Sequence, residues 1–164
     1  MSVEMRFCPR CGSGLADKVD EGRTRRACLK EGCSFIHYGN PLPVVAAIVE
    51  HEGAVVLVRA HGWPEKLFGL VTGFLEAGET PEQGVLRELK EELGLDGEVA
   101  SLVGAYGFEL RNELIVAYHV RATGTLTLGA ELAGFKKVLP EKLRPWDFGT
   151  GLAVRDWLAN RSRS

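Results

Sequence analysis

The sequence has no long hydrophobic run, and its beginning has no apolar signal region. Its apolar stretches are far shorter than the roughly 18 consecutive residues that a membrane-spanning helix needs. The opening segment, MSVEMRFCPR, lacks the apolar core of a secretory signal. We therefore expect a cytoplasmic protein without a membrane partner.

An excess of charge of either sign is also missing. Lys and Arg number 20 and Asp and Glu number 22, so the formal charge is −2 and favours neither nucleic acid nor an anionic membrane as a partner. A local basic cluster consists of Arg23, Arg25, Arg26 and Lys30. RNA contact there is the alternative, but Glu21 and Glu31 lie beside the cluster and no aromatic residue is interleaved. We favour a solvated basic loop and predict no nucleic-acid partner.

Cysteine is scarce, since the chain has four and all of them fall within the first 33 residues. They form two pairs, Cys8 with Cys11 and Cys28 with Cys33. In a reducing compartment such a cluster favours metal ligation over disulfides, and four thiolates suit tetrahedral zinc. The second pair has four intervening residues where two would be ideal, so metal-free thiols are the alternative. We predict a structural zinc held by all four cysteines.

Composition separates a head rich in Cys, Gly and Arg from a longer body. We predict a small zinc ribbon over residues 1–38 and a second domain over 39–164, joined through the linker Asn40-Pro-Leu-Pro43. In the body, short apolar runs predict strands over 44–50, 54–59, 99–108, 114–120 and 135–139, with a loop over 59–66. A closing helix over 151–158 is expected to bury Leu152, Trp157 and Leu158.

The clearest local signal is a helix over residues 81–93. Thr80 can cap its start, Pro81 suits the first helical position, and Gln83 stands where a capping box needs it. Gly94 follows the last periodic residue, where a left-handed conformation commonly ends a helix. The sequence therefore predicts both ends of this helix.

Three glutamates share one face of this helix, because Glu88, Glu91 and Glu92 are spaced three and four residues apart. The adjoining apolar stripe consists of Leu86, Leu89 and Leu93. Like charges at this spacing repel, so a cation is expected against them, and oxygen ligands of this kind suit Mg²⁺ or Mn²⁺ together with substrate phosphates. A solvated acidic surface is the alternative, and spacing alone does not decide between the two.

The segment before the helix favours a site. Gly69, Gly73 and Gly78 surround an apolar stretch, and Glu79 directly precedes the cap. The whole pattern is Gly73, five residues, Glu79, seven residues, then Arg87-Glu-Leu-Lys-Glu-Glu-Leu-Gly-Leu95. This pattern resembles the Nudix box at every defined position.

The resemblance implies an α/β fold, an α/β/α sandwich with a mixed sheet, that hydrolyses a diphosphate linkage through attack of water on phosphorus. Glu88, Glu91 and Glu92 then correspond to the Mg²⁺ or Mn²⁺ ligands and the base, and Gly73 to a ligand through its carbonyl. Arg87 corresponds to the orienting partner of these carboxylates, with Glu79 as a further acid. A base outside the box is also known in the family, and the downstream acids to test are Glu109, Glu113 and Glu131. Some Nudix hydrolases also carry an N-terminal zinc ribbon, and the resemblance makes a homodimer reasonable.

The Nudix box does not determine the substrate, which is selected by residues outside it. We favour a nucleoside diphosphate derivative such as ADP-ribose, NADH or a similar dinucleotide. The Ser-Gln-Pro-Trp-Pro-Phe-Pro type of segment that marks zinc-ribbon NADH diphosphatases is not visible, since residues 105–112 read Ala-Tyr-Gly-Phe-Glu-Leu-Arg-Asn. The alternatives are a hydrolase of nucleoside triphosphates or RNA caps, and a non-catalytic nucleotide-binding sensor.

Overall fold

The computed structural model of the protein describes residues 5–162, so the outermost residues of the predicted ranges 1–38 and 39–164 lie outside it. Two compact units are present. The first contains residues up to 41 together with 110–112, and the second contains 42–109 together with the chain from 113 onward. Within the described residues, no helix is long and apolar enough to cross a membrane.

The first unit is built on a three-stranded antiparallel sheet of β1 (Leu15–Asp20), β2 (Arg23–Cys28) and β3 (Ile36–His37). The sequence analysis did not predict these strands. Their pairing changes the interpretation of the basic cluster, because Arg26 forms an ion pair with Asp17 at 3.1 Å and Arg25 with Asp20 at 3.4 Å. Two of its four cations are thus neutralised within the unit.

The second unit contains a six-stranded sheet. Its strands are β4 (Leu42–His51), β5 (Ala54–Ala60), β6 (Val71–Phe74), β7 (Asp96–Phe108), β8 (Glu113–Thr123) and β9 (Leu132–Val138). They follow the order β7-β8-β4-β5-β9, and β6 also pairs with β4. The β4–β8 pair is parallel and the other pairs are antiparallel, which confirms the predicted mixed sheet.

Two helices cover the two faces of this sheet: α1 (Pro81–Leu93) and α2 (Gly151–Arg161). Alternate residues of β4 serve the two cores, so Val45 packs with Leu89 and Leu93 of α1, whereas Ile48 packs with Trp157 of α2. The arrangement is the predicted α/β/α sandwich.

Two details of the second unit differ from the sequence prediction. No strand was predicted over residues 71–74, but this segment forms β6 because it pairs with the distant strand β4. On α2, Trp157 is buried and Leu158 packs partly against the core as predicted, but Leu152 does not belong to that core. Ala153 and Val154 are buried in its place, so the buried face of α2 is rotated about the helix axis relative to the predicted face.

Candidate functional site

The helix that carries the glutamates begins and ends where the sequence predicts. The Thr80 hydroxyl accepts a hydrogen bond from the Gln83 amide at 3.3 Å, and the Gln83 side chain accepts one from the Thr80 amide at 2.9 Å. Gly94 ends α1 in the left-handed conformation with φ 66°. Leu89 and Leu93 are fully buried, which fixes the rotation of the helix about its axis. The acidic stripe is therefore held in one direction.

Gly73 lies on β6, and its lack of a side chain makes room for Glu88. A Cβ atom placed on Gly73 would overlap the Glu88 carboxylate. Because β6 pairs with β4 and α1 packs on the same sheet, this close approach is fixed by the fold. The glycine therefore lets the backbone and a carboxylate come together, as a shared metal ion would require.

Arg87 connects the acidic side chains. Its Nε and Nη2 atoms donate to the two carboxylate oxygens of Glu79 at 2.6 and 3.0 Å. Its Nη1 atom donates to Glu88 at 2.6 Å and to Glu91 at 3.0 Å, and Nη2 also donates to the Phe74 carbonyl at 3.0 Å. Arg87 thus contacts three carboxylates. The sequence analysis missed the Phe74 carbonyl, because a backbone acceptor leaves no signal in a sequence.

Among these acids, Glu92 has the negative charge that is least balanced by hydrogen bonds or cations. Burial, followed by the negative charges of Glu88, Glu131 and Glu91, raises the pKa of Glu92 to about 8. Burial also raises the pKa of Glu88 above its usual range, although Arg87 opposes this effect. The Glu92 Oε2 atom is buried and has no hydrogen-bond partner. A buried carboxylate oxygen without a donor calls for a cation.

These residues fit a hard divalent ion. The unpaired Glu92 oxygen, the Glu88 carboxylate and the Gly73 backbone supply oxygen donors, which Mg²⁺ and Mn²⁺ prefer. Within residues 5–162, however, only the cysteines form a group of three or more His, Cys, Asp or Glu side chains whose ligand atoms all lie within 4.8 Å of one another. The glutamates would therefore share a metal with waters and phosphate oxygens, which is usual for Mg²⁺.

Of the three downstream acids, Glu131 is the one placed near the cluster, because its charge raises the pKa of both Glu88 and Glu92. It directly precedes β9, which begins three residues before the predicted strand over 135–139. Glu109 begins a short 3-10 turn and Glu113 begins β8. Neither is placed with the acidic stripe by any contact described above.

The four cysteines come together in the first unit. The Cys8 and Cys33 sulfurs are 3.7 Å apart, and the Cys11 and Cys28 sulfurs are 3.6 Å apart. Four sulfurs placed tetrahedrally at the Zn–S distance lie about 3.8 Å from one another, so the cluster is compatible with zinc. None of the four forms a disulfide. The Ser13 amide lowers the pKa of Cys11 to about 6, which favours its thiolate. The Lys30 amide opposes a rise in the pKa of Cys28, but burial and the neighbouring sulfurs raise it to about 12.

The matches to known proteins agree with this site. The NUDIX domain family matches residues 40–156, which include the whole glycine and glutamate pattern. The chain belongs to the Nudix family. Divalent metal use is general among Nudix proteins, in agreement with the oxygen donors described above.

Similar Nudix proteins include two curated relatives. The NAD-capped RNA hydrolase NudC of Vibrio atlanticus is 29% identical over 118 residues, which cover 72% of this chain and 42% of the relative. The human NAD-capped RNA hydrolase NUDT12 is 33% identical over 128 residues, which cover 73% of this chain and 27% of the relative. The chain thus spans less than half the length of either protein.

A solved structure covers more of the chain. A NUDIX hydrolase from Nitrosomonas europaea matches with a TM-score of 0.80 and 25% identity, covering 98% of this chain and 94% of that protein. The likeness to this one structure therefore covers residues of both compact units, whereas the family match covers residues 40–156.

Proposed function

We propose that the protein is a divalent-metal-dependent hydrolase that cuts the diphosphate linkage of a nucleoside diphosphate derivative, with a dinucleotide as the favoured substrate. The observation that carries this proposal is the buried Glu92 oxygen without a partner, which lies among like charges in a complete Nudix box. The two curated relatives are named for acting on NAD-capped RNA, whose cap contains such a linkage. A pure nucleotide sensor would not need this mutual repulsion.

The roles follow from the contacts. Glu88, Glu91, Glu92 and the Gly73 carbonyl would hold Mg²⁺ or Mn²⁺. The ion would neutralise the diphosphate and lower the pKa of the attacking water. Arg87 keeps Glu79, Glu88 and Glu91 in place through its hydrogen bonds. The proton of the water would pass to a carboxylate. The candidates are Glu92, which has the unpaired buried oxygen, and Glu131, whose charge acts on Glu92.

A second candidate, hydrolysis of a nucleotide cap on RNA, is favoured by the names of the relatives and involves the same bond. We also keep the sequence-based predictions of a ribbon over residues 1–38 with a structural zinc and a catalytic domain over 39–164. A cytoplasmic location and a homodimer stay predictions as well.

A substrate panel tests the proposal. ADP-ribose, NADH, NAD-capped RNA and nucleoside triphosphates are each incubated with Mg²⁺ or Mn²⁺, and the products are separated. Cleavage inside the diphosphate of a dinucleotide, giving two monophosphate products, is expected. Release of pyrophosphate from a triphosphate would point to the sanitising activity instead, and inactivity across the panel would favour a nucleotide sensor.

Three variants test the site itself. We expect Glu92→Gln and Glu91→Gln each to lower turnover about a hundredfold or more, because a ligand or base is lost. Thermal unfolding of both should resemble that of the unchanged protein, since neither change removes a favourable buried pair. Glu98→Gln on β7, an exposed glutamate outside the box, is the matched control and should keep full activity. Full turnover in both box variants would contradict the mechanism.

A further inference from the structure

The second unit has a groove lined by positive charges, opposite in sign to the glutamate stripe. This groove of about 320 Å³ is lined by β5, β9, the loop before β6 and the segment after β9. Leu57 and Leu143 contribute to it, and both belong to the core on the α2 side of the sheet. Its volume is within the range of small-molecule and nucleotide sites. The glutamate stripe lies on the other helix, α1.

Four cations line this cavity, which we call the basic groove: Lys66, Lys136, Lys142 and Arg144. Its lining contains no Asp or Glu. Within residues 5–162, none of the four forms an ion pair with a carboxylate. The Arg144 guanidinium is oriented by backbone carbonyls, donating to Glu141 at 2.9 Å and to Leu143 at 3.0 Å, so its charge is not neutralised. The groove therefore concentrates positive potential that an anionic ligand would balance.

Some other cations of the chain form ion pairs with carboxylates. Lys137 is the next residue after Lys136 on β9 and forms an ion pair with Glu52. In the first unit, Arg25 and Arg26 pair with aspartates across the β1–β2 hairpin. The four cations of the basic groove differ from these paired residues, because they line one cavity without a carboxylate among its lining residues.

Aromatic rings stand among these cations. Phe68, Trp146 and Phe148 line the groove, and Phe148 is 53% exposed. The Lys136 ammonium lies 4.5 Å from the centre of the Phe68 ring. Cations that follow a phosphate backbone, combined with rings on which bases stack, are the usual features of surfaces that bind single-stranded nucleic acid.

We propose that the basic groove binds single-stranded RNA, with phosphates held by Lys136, Lys142 and Arg144 and a base stacked on Phe148. The inference deepens the proposed function. It rests on the second candidate, hydrolysis of a nucleotide cap on RNA, only for the identity of the bound RNA as the body of a capped substrate. It differs from the sequence-based prediction of no nucleic-acid partner. That prediction considered the basic cluster of the head, whereas the groove residues are spread from position 57 to position 148.

The test uses uncapped RNA, which presents no diphosphate linkage for cleavage. A fluorescent, unstructured oligonucleotide of about ten nucleotides is titrated with the full chain, and anisotropy is recorded over a salt series. The double variant Lys136→Gln/Lys142→Gln should bind about tenfold more weakly, with the slope of log affinity against log salt reduced by about 1.4, or about 0.7 per lost phosphate contact. Lys137→Gln is the matched control, because it removes one cation from the same strand outside the groove, and it should bind like the unchanged protein.

A third variant separates stacking from charge. Phe148→Leu should weaken binding about tenfold while the salt slope stays the same, because a base contact is lost and no phosphate contact changes. Phe148 is exposed, so the substitution should leave the fold intact, which circular dichroism can check.

Absence of RNA binding at low salt, or equal binding by the double variant and the unchanged protein, would overturn the proposal. Tighter binding of an acidic peptide than of RNA would assign the groove to a protein partner and also overturn it. Because no hydrolysis is measured, RNA binding by a protein that cleaves no substrate would support the groove while contradicting the proposed function. Hydrolysis of NADH without RNA binding would do the reverse.

Discussion

The absence of a side chain at Gly73 makes room for a carboxylate in the candidate active site. Gly73→Ala would place a methyl group where the Glu88 carboxylate lies, so either β6 or Glu88 must move. We expect turnover to fall about a hundredfold or more, because displacement of a catalytic group by about 1 Å has effects of this size. Steady-state kinetics at saturating Mg²⁺ would measure it.

The control for this prediction is Gly107→Ala on β7, where an added Cβ atom would meet nothing within 4 Å. That variant should keep both its activity and its stability. An active Gly73→Ala enzyme would mean that the close approach of Gly73 and Glu88 has no part in the reaction.

His119 provides a prediction on pH. It is buried beside Trp157, and its ring lies 2.9 Å from the Glu50 carboxylate. Burial lowers the pKa of His119 below its usual 6.5, although Glu50 opposes the shift. The folded state therefore disfavours the protonated ring. Stability from this residue is complete above the unfolded pKa and decreases as the pH falls toward the lower folded value.

The variant His119→Gln keeps a donor for Glu50 but cannot titrate. Urea unfolding at several pH values should give a flatter decrease in its free energy of unfolding below pH 6.5 than the unchanged protein shows. The difference between the two profiles isolates His119, because the other titrating groups are common to both. Parallel profiles would show that His119 has the same pKa in the folded and unfolded chains.

The start of α1 depends on its capping box. Thr80→Ala removes the hydroxyl that accepts from the Gln83 amide and should lower the free energy of unfolding by about 1 kcal/mol. Thr80→Ser keeps this acceptor and should be close to neutral. Urea denaturation of the three proteins gives the comparison, and equal loss in the Ser and Ala variants would show that the hydrogen bond is not the cause.

Elements that depend on local signals were predictable from the sequence, and elements that depend on distant partners were not. The ends of α1 are determined by Thr80, Pro81 and Gly94, which act within one turn of the chain. In contrast, β6 has only four residues and exists because it pairs with β4, where Gly73 is opposite Val45, 28 positions earlier in the chain. The three strands of the first unit have six, six and two residues, and their mostly polar sequences show no apolar run that would predict a strand.

The residues of the candidate site also fall into two groups, those that the sequence predicted and those that needed the fold. The glutamate stripe and Gly73 form a continuous pattern, so the sequence predicted which residues would come together. The role of Glu131 needed the fold, since it follows Glu92 by 39 positions and acts on it only through space. The basic groove was missed because each lysine, taken alone, is an ordinary surface residue. Only the fold shows that Lys66, Lys136 and Lys142 surround one cavity.

The two compact units differ in how they can be stabilised. The body has two extensive apolar cores, one under each helix. The head has a small cluster in which the fully buried members are Cys8, Leu15 and Cys28. A unit of this size rarely buries enough apolar surface to fold without a metal or cross-link. We therefore expect the proposed zinc to supply most of the stability of the head.

Removal of that metal should separate the unfolding of the two units. The purified chain is expected to contain one zinc ion, measurable by mass spectrometry, and Cys8→Ser should lose it. Calorimetry of this variant should show the head unfolded at ordinary temperature, because the ligand set is broken and binding energy contributes directly to folding. The body should still show a cooperative transition from its own cores. Ser13→Ala, which keeps all four sulfurs, is the control and should retain zinc. A Cys8→Ser protein with unchanged zinc content and unchanged unfolding would refute the structural zinc site.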